Sequence, residues 1–139
     1  MHQILLIEDN EGDIFLIKEA FNETNFNGKI IDIKDGESAI KYLTNLKDNN
    51  QTSDINLILL DINLPKKNGH EVLHFIKNTS GLKQIPVVML TTSSSLIDIK
   101  LAYQNAANSF VIKSLETLDF QKKIAEINKY WFSTVQLPV

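Results

Sequence analysis

"NLILLDINLPKKNG", residues 56–69, decides how this chain is read. Four apolar residues at 57–60 run directly into Asp61, and the segment then breaks at Pro65 and Gly69. An apolar run of this length without alternation suits a strand covered on both faces, as in a parallel sheet with helices on each side. Working outward, "ILLI" (4–7), "KIIDI" (29–33), "PVVML" (86–90) and "SFVI" (109–112) share strand length and composition, which with "NLILL" (56–60) makes five candidate strands. Between them apolar residues recur at helical spacing: Ile14, Ile17 and Phe21; Ala39, Ile40, Leu43 and Leu46; Val72, Leu73 and Ile76; a weaker set at Leu101 and Ala102; and Phe120, Ile124, Ile127 and Trp131. The alternation predicts a doubly wound α/β domain with a five-stranded parallel sheet and five flanking helices. Ser95 with Asp98 has the pattern of a capping box opening the fourth helix, and Gly28 and Gly81 fall in connections where helices should have stopped. The polar stretch "KDNNQTSD" (47–54) reads as a loop prone to disorder between the second helix and third strand.

At 139 residues and 43% hydrophobic the chain suits one domain, residues 1–139, with no internal repeat and no linker. Lys and Arg number 14 against 17 Asp and Glu, a formal charge of −3, which supplies no basic field for nucleic acid or an anionic membrane. The chain has no cysteine. That removes disulfides, thiolate metal sites and thiol nucleophiles, and fits a reducing compartment. The start "MHQILLIEDN" has no basic region and reaches acids by residue 8, unlike a signal peptide or membrane span, so a soluble cytoplasmic protein is expected.

In an open parallel sheet the binding crevice lies beyond the carboxyl ends of the strands, so the residues that end each run are the ones to read. The first run ends in Glu8 and Asp9, the third in Asp61, the fourth in Thr91 and Thr92, and the fifth in Lys113. Each has an ordinary use when taken alone: acids open loops and helices, Lys is solvated, Thr is a good strand former. Together they make one coherent site. Two carboxylates about 4 Å apart repel by about 4 kcal/mol at an effective dielectric of about 20, so the cluster must protonate, spread or take up a cation. All-oxygen donors favour Mg²⁺, which joins carboxylates to phosphate oxygens. Mg²⁺ and a Lys can then neutralise a transferring phosphoryl group, a Thr hydroxyl can bond one of its oxygens, and an aspartate can be the nucleophile.

"ILLIEDN" (4–10), "LILLDINLPKKNG" (57–69), "VVMLTTS" (87–93) and "FVIK" (110–113), in this order and spacing, resemble the receiver domain of two-component response regulators over residues 2–130. The resemblance implies a flavodoxin-like receiver fold with strand order 2-1-3-4-5. It implies Asp61 as the phosphoacceptor that attacks the phosphohistidine of a sensor histidine kinase or phosphotransfer protein. Asp9, Asp61 and the backbone carbonyl of Asn63 are then direct Mg²⁺ ligands, and Glu8 is the second acid, acting through water. Thr91 and Lys113 would contact the acyl phosphate, Phe110 would be the switch aromatic that follows Thr91, and Asn63 and Ser93 would flank the attacking water and tune hydrolysis.

Three positions depart from the usual pattern. Ser114 follows Lys113 where Pro is frequent, often behind a cis peptide. Phe110 replaces a frequent Tyr, and Thr92 stands where Ala or Gly is common and narrows access to the phosphoryl site. The tail "IAEINKYWFSTVQLPV" (124–139), with "LTTS" (90–93) and "IKS" (112–114), resembles single-domain receivers associated with phytochrome-type kinases. Trp131 and Phe132 either close the core beneath the fifth helix or form an interface, and the resemblance implies a weak or regulated homodimer. The receiver takes up nearly the whole chain, so no output domain is expected. Action would pass through the surface of the fourth helix, fifth strand and fifth helix. Two other readings stay open: a degenerate receiver serving as a binding scaffold, and a Mg²⁺-dependent aspartyl-phosphate hydrolase. The hydrolase wants an acid two residues after its aspartate, where this chain has Asn63. A nucleotide or flavin module would show a Gly-rich loop, and "EDNEGD" (8–13) has one Gly among acids.

Overall fold

The computed structural model describes residues 1–138; Val139, the end of the tail, lies outside the described residues. Five parallel strands are β1 (His2–Ile7), β2 (Gly28–Ile33), β3 (Leu57–Leu60), β4 (Val87–Thr91) and β5 (Ser109–Ile112), in the order 2-1-3-4-5. The helices between and after them are α1 (Glu11–Glu23), α2 (Gly36–Asp48), α3 (Gly69–Lys77), α4 (Leu96–Gln104) and α5 (Thr117–Lys129). This is the expected doubly wound architecture.

The continuous apolar runs are explained by two cores. Leu5, Ile7, Ile58, Leu60, Val87 and Met89 point to a layer shared with α2 and α3, where Ala39, Leu43, Val72, Leu73 and Ile76 are buried. Their sequence neighbours Ile4, Leu6, Leu57, Leu59, Val88 and Leu90 point the other way, to Ile14, Ile17 and Phe21 of α1 and Phe120, Ile124 and Ile127 of α5. With both faces covered, no strand residue in β3 or β4 is free to be polar until the strand ends. Each fully buried Leu or Ile contributes about 1.5–3 kcal/mol, so the three central strands are the rigid base of whatever sits at their tips.

The first four helices begin on side-chain caps. Asn10 accepts from the Asp13 N–H at 2.9 Å, and Asp35 from the Ser38 N–H at 2.7 Å. Ser95 accepts from the Asp98 N–H at 3.4 Å, but the expected capping box at α4 is only half made. The Asp98 carboxylate turns instead to the Ser93 hydroxyl and to His70. The full box is at α3, where Asn68 and Glu71 bond each other's backbone N–H groups.

Two further expectations are corrected locally. Gly28 opens β2 rather than lying in the connection before it, whereas Gly81 does stand in the turn after α3, with φ of 89°. The polar stretch 47–54 is ordered as the end of α2, a turn, and a 3₁₀ turn at Thr52–Asp54, because the Gln51 N–H bonds the Leu46 carbonyl at 2.7 Å. Among the described residues every peptide bond is trans, including Lys113 to Ser114.

After α5 the chain continues as a π-helical turn at Tyr130–Thr134. There the Phe132 ring lies 4.6 Å from that of His2 and 5.2 Å from that of Phe26, closing the core over the start of β1. Trp131 is half-buried and lines an open groove of about 690 Å³ along β5 with Phe110, Ile127 and Tyr130. No helix among the described residues is long and apolar enough to cross a membrane.

Candidate functional site

Asp61 follows β3 directly, and its N–H bonds the Ile7 carbonyl at 3.0 Å, so the β1–β3 ladder holds it at the sheet edge. The loop after it is fastened at both ends. The Gly69 N–H bonds the Ile62 carbonyl at 2.7 Å, and a Cβ at Gly69 would stand 2.1 Å from the Asp61 carbonyl oxygen. At Gly36 a Cβ would stand 1.9 Å from the Lys67 carbonyl oxygen, so the start of α2 is seated against the same loop. Only glycine permits either approach. The bonds within the loop go to the carbonyls of Ile62 and Pro65, and Asn63, between them, is exposed. Asp61 itself is nearly buried, with Oδ1 accepting from the Ile62 N–H at 2.7 Å.

Glu8 and Asp9 follow β1 directly, beside it. Carboxylate oxygens of Glu8, Asp9 and Asp61 all come within 4.8 Å of one another, so the structure brings together the three acids expected from the sequence. Their burial differs: Glu8 is 1% exposed, whereas Asp9 faces solvent. Lys113, one residue past β5 and 8% exposed, reaches across to bond Glu8, Asp13 at 2.9 Å and Asp61 at 3.4 Å. Its backbone N–H bonds the Thr91 carbonyl at 2.7 Å, which fixes the base of the side chain on the end of β4.

Burial pushes Glu8 up to about 7, helped by the neighbouring charge of Asp61 and opposed by the hydrogen bond from Lys113. Lys113 moves up as well. Burial disfavours its charge, but the Glu8 hydrogen bond and the Asp61 and Glu8 charges outweigh that penalty. One ammonium is thus set against four carboxylates, counting Asp13, and the cluster carries an excess of negative charge. A divalent cation held by oxygen donors meets that excess, and Glu8, Asp9 and Asp61 are the residues placed to hold it.

Thr91 is fully buried at the end of β4, its Oγ1 accepting from the Ser93 N–H at 3.4 Å. Thr92 is exposed and lines a small cavity of about 60 Å³ with Asp13, Lys113, Ser114 and Leu115. Phe110 pairs with Met89 across the β4–β5 ladder and packs half-buried against the α2/α3 core layer.

Three residues near the site, Asp13, His70 and Asp98, were not read as site residues from the sequence. Asp13, in the first turn of α1, is a direct partner of Lys113. Asp98 accepts from the Ser93 hydroxyl at 2.7 Å and pairs with His70 Nε2 at 3.0 Å, tying the loop after Thr91 to the first turns of α3 and α4. The ionised Asp98 carboxylate can only accept, so Nε2 carries the His70 proton and the buried Nδ1 has no partner. The one signal for any of these was Ser95-x-x-Asp98, which pointed Asp98 at the wrong group.

A family model described as the response regulator receiver domain matches residues 4–125. The chain is 43% identical over 135 residues to the probable methanogenesis regulatory protein FilR2 of Methanothrix harundinacea, covering 97% of this chain and 86% of that one. Its structure superposes on the phosphorylated cyanobacterial phytochrome response regulator RcpA with a TM-score of 0.92, at 39% identity and 100% coverage of both chains. It matches the Mn²⁺-bound form of response regulator Rcp1 with a TM-score of 0.91, at 38% identity and 100% coverage of both. The expected likeness to phytochrome-associated regulators is therefore found along the whole chain. With the parallel sheet in the order 2-1-3-4-5 and the acids of β1 and β3 meeting Lys113 at its edge, this chain belongs to the response regulator receiver domain family.

Proposed function

We propose that this receiver takes a phosphoryl group onto Asp61 from the phosphohistidine of a sensor histidine kinase or phosphotransfer protein, in a Mg²⁺-dependent reaction. The observation that carries the reading is the placement of Asp61, held at the strand tip against a buried Lys113 and within reach of two further acids. A carboxylate oxygen of Asp61 attacks phosphorus; the P–N bond to the donor imidazole breaks as the P–O bond forms, and the imidazole leaves and takes up a proton. No oxidant or reductant is involved. Asp9, Asp61 and the Asn63 carbonyl would hold Mg²⁺, with Glu8 acting through water. The bound ion would supply charge neutralisation for the phosphoryl oxygens. Lys113 would supply a second positive charge from the end of β5, and the Thr91 hydroxyl would be the donor for a phosphoryl oxygen. Asn63 and Ser93 flank the approach of water and tune how long the acyl phosphate survives.

The phosphoryl group offers bonds to Thr91 and Lys113 that exist in one arrangement only, which biases α4, β5 and α5, with Phe110 following Thr91. A kinase of phytochrome type is the donor we favour, since the named relatives include phytochrome response regulators. β5 is an edge strand whose apolar groove, with Tyr130 and Trp131, suits a second copy of the chain as partner. The protein is a cytoplasmic phosphoacceptor that handles one group per cycle, not an enzyme turning over free substrates. Asn63, where a hydrolase would place an acid, supports that distinction.

Incubation with a small phosphodonor and Mg²⁺, followed by intact-mass measurement, tests the reading. Wild type gains one phosphoryl group, and a chelator or Asp61→Asn abolishes the gain; uptake that persists in Asp61→Asn refutes it. Sedimentation of the same samples reads the dimer, and a monomer in both states removes that part.

A further inference from the structure

We propose that Asp13 is a positioning residue that divides the Lys113 ammonium between the acidic pocket and its own carboxylate, and so sets how strongly Lys113 competes with a cation bound there. This rests on the phosphoacceptor reading of the pocket. An ammonium has three N–H donors, and here Glu8, Asp13 and Asp61 each take one. The Asp13 bond, at 2.9 Å, is shorter than the Asp61 bond at 3.4 Å.

Asp13 belongs to a different part of the fold from the acids that end β1 and β3. It sits in the first turn of α1, its N–H tied to Asn10 Oδ1 at 2.9 Å, and its side chain is 30% exposed. It lies outside the set of three acids whose oxygens come within 4.8 Å of one another. A divalent cation entering that set repels the ammonium and takes over its carboxylates. Lys113 then needs a negative partner on the outer side, and Asp13 is the one already bonded to it. The cavity of about 60 Å³ bordered by Asp13, Lys113 and Thr92 leaves room for that shift. Without the Asp13 charge, Lys113 has no outer seat, stays on Glu8 and Asp61, and opposes the cation more strongly. Asp13 is thereby useful to the site without touching the reacting atoms.

A double-mutant cycle separates this action through Lys113 from a direct pull of the Asp13 charge on the metal. Mg²⁺ affinity is measured by calorimetry in wild type, Asp13→Asn, Lys113→Met and the double variant. The expected weakening by Asp13→Asn is at least about threefold greater with Lys113 present than in the Lys113→Met background. Equal weakening in both backgrounds overturns the proposal. A second measurement needs no Lys113 variant: the ¹⁵N resonance of Lys113 Nζ in metal-free protein should move in Asp13→Asn and stay in place in Glu11→Gln. Glu11→Gln removes the same charge from the same helical turn, where Glu11 pairs with Lys34 instead. An unmoved Nζ resonance in Asp13→Asn also overturns the proposal. Wild type that binds Mg²⁺ yet takes up no phosphoryl group would sink the phosphoacceptor reading alone, leaving the coupling measurable.

Discussion

Replacing Lys113 with Met tests the electrostatic account of the site most directly. The substitution keeps most of the aliphatic stem and deletes the ammonium that bonds Asp13 at 2.9 Å and Asp61 at 3.4 Å, as well as Glu8. At an effective dielectric of about 20, each of the two longer contacts is an attraction of about 5–6 kcal/mol, offset by several kcal/mol for desolvating a side chain that is 5% exposed. Removing one partner of a buried charge pair costs about 3–5 kcal/mol, because the other partner stays buried and uncompensated. That is a large share of the roughly 5–15 kcal/mol that holds a typical domain together. The loss should appear in urea unfolding of metal-free protein at about pH 8. It should shrink by up to about 1.4 kcal/mol at about pH 5: wild-type Glu8, raised to about 7, is itself protonated below that value, so the variant's extra proton counts only over the one pH unit from about 7 to about 8. Mg²⁺ at about 100 times its dissociation constant returns about 2.7 kcal/mol, and reaches that ratio at lower concentration in the variant because no ammonium competes. A loss below about 1 kcal/mol at pH 8, or an equal loss at both pH values, would show that Lys113 contributes methylene packing rather than charge.

Gly69→Ala should cost on the order of 3 kcal/mol and slow phosphoryl uptake, since its Cβ would stand 2.1 Å from the Asp61 carbonyl oxygen and 2.7 Å from the Ile62 Cα, both backbone. Urea midpoints and uptake rates would show it, and a neutral result would mean the loop is not fastened as described. Asp98 is held below its ordinary value of 3.8 by the Ser93 hydroxyl first and then by His70. A depressed carboxyl contributes stability that is complete above the unfolded value and lost as pH falls through the folded one. Asp98→Asn should therefore flatten the acid limb of the unfolding midpoint below about pH 4, and an unchanged slope there counts against the Ser93–Asp98–His70 tie.

The fold was legible because burial on both faces leaves a plain mark. Runs such as "LILL" and "VVML" admit no polar residue, and their ends fall where the ladder ends, apart from Thr91, which the Lys113 N–H keeps within β4. The pocket was legible for the same reason. Glu8, Asp61, Thr91 and Lys113 are the first polar residues after apolar strands, and parallel order puts those positions at one edge. Asp13 was hidden because an acid in a helix's first turn is favoured by the helix dipole whatever it contacts. His70 and Asp98 were hidden because 28 residues separate them and nothing in either segment refers to the other. The capping-box pattern misled at α4, since a carboxylate three residues after a Ser bonds whichever donor is best placed, and there the Ser93 hydroxyl and His70 ring are nearer in geometry than the cap backbone.

These hidden contacts bear on which part of the fold can respond to Asp61. In α4 only Ala102 is buried, while Leu96, Ile97, Leu101 and Tyr103 are exposed, so little apolar burial opposes its displacement. Its first turn is held by polar bonds instead, from Asp98 to Ser93 and His70. Ser93 is two residues from Thr91 and bonds its hydroxyl, whereas His70 follows Gly69, whose close approach to the Asp61 backbone welds the start of α3 to the loop. Asp98 is therefore suspended between a fixed point and the end of β4. Any rotation of the Thr91 hydroxyl toward Asp61 removes the acceptor from the Ser93 N–H and disturbs the Ser93 bond to Asp98, leaving His70 as the remaining tie. A first turn seated by two side-chain hydrogen bonds worth about 1–3 kcal/mol each, with the Phe110 N–H to Tyr103 hydroxyl bond of 3.2 Å as a further tie to β5, would be within reach of what a phosphoryl group could offer Thr91 and Lys113 on the proposed reading. By contrast, α3, with three apolar side chains buried, is not.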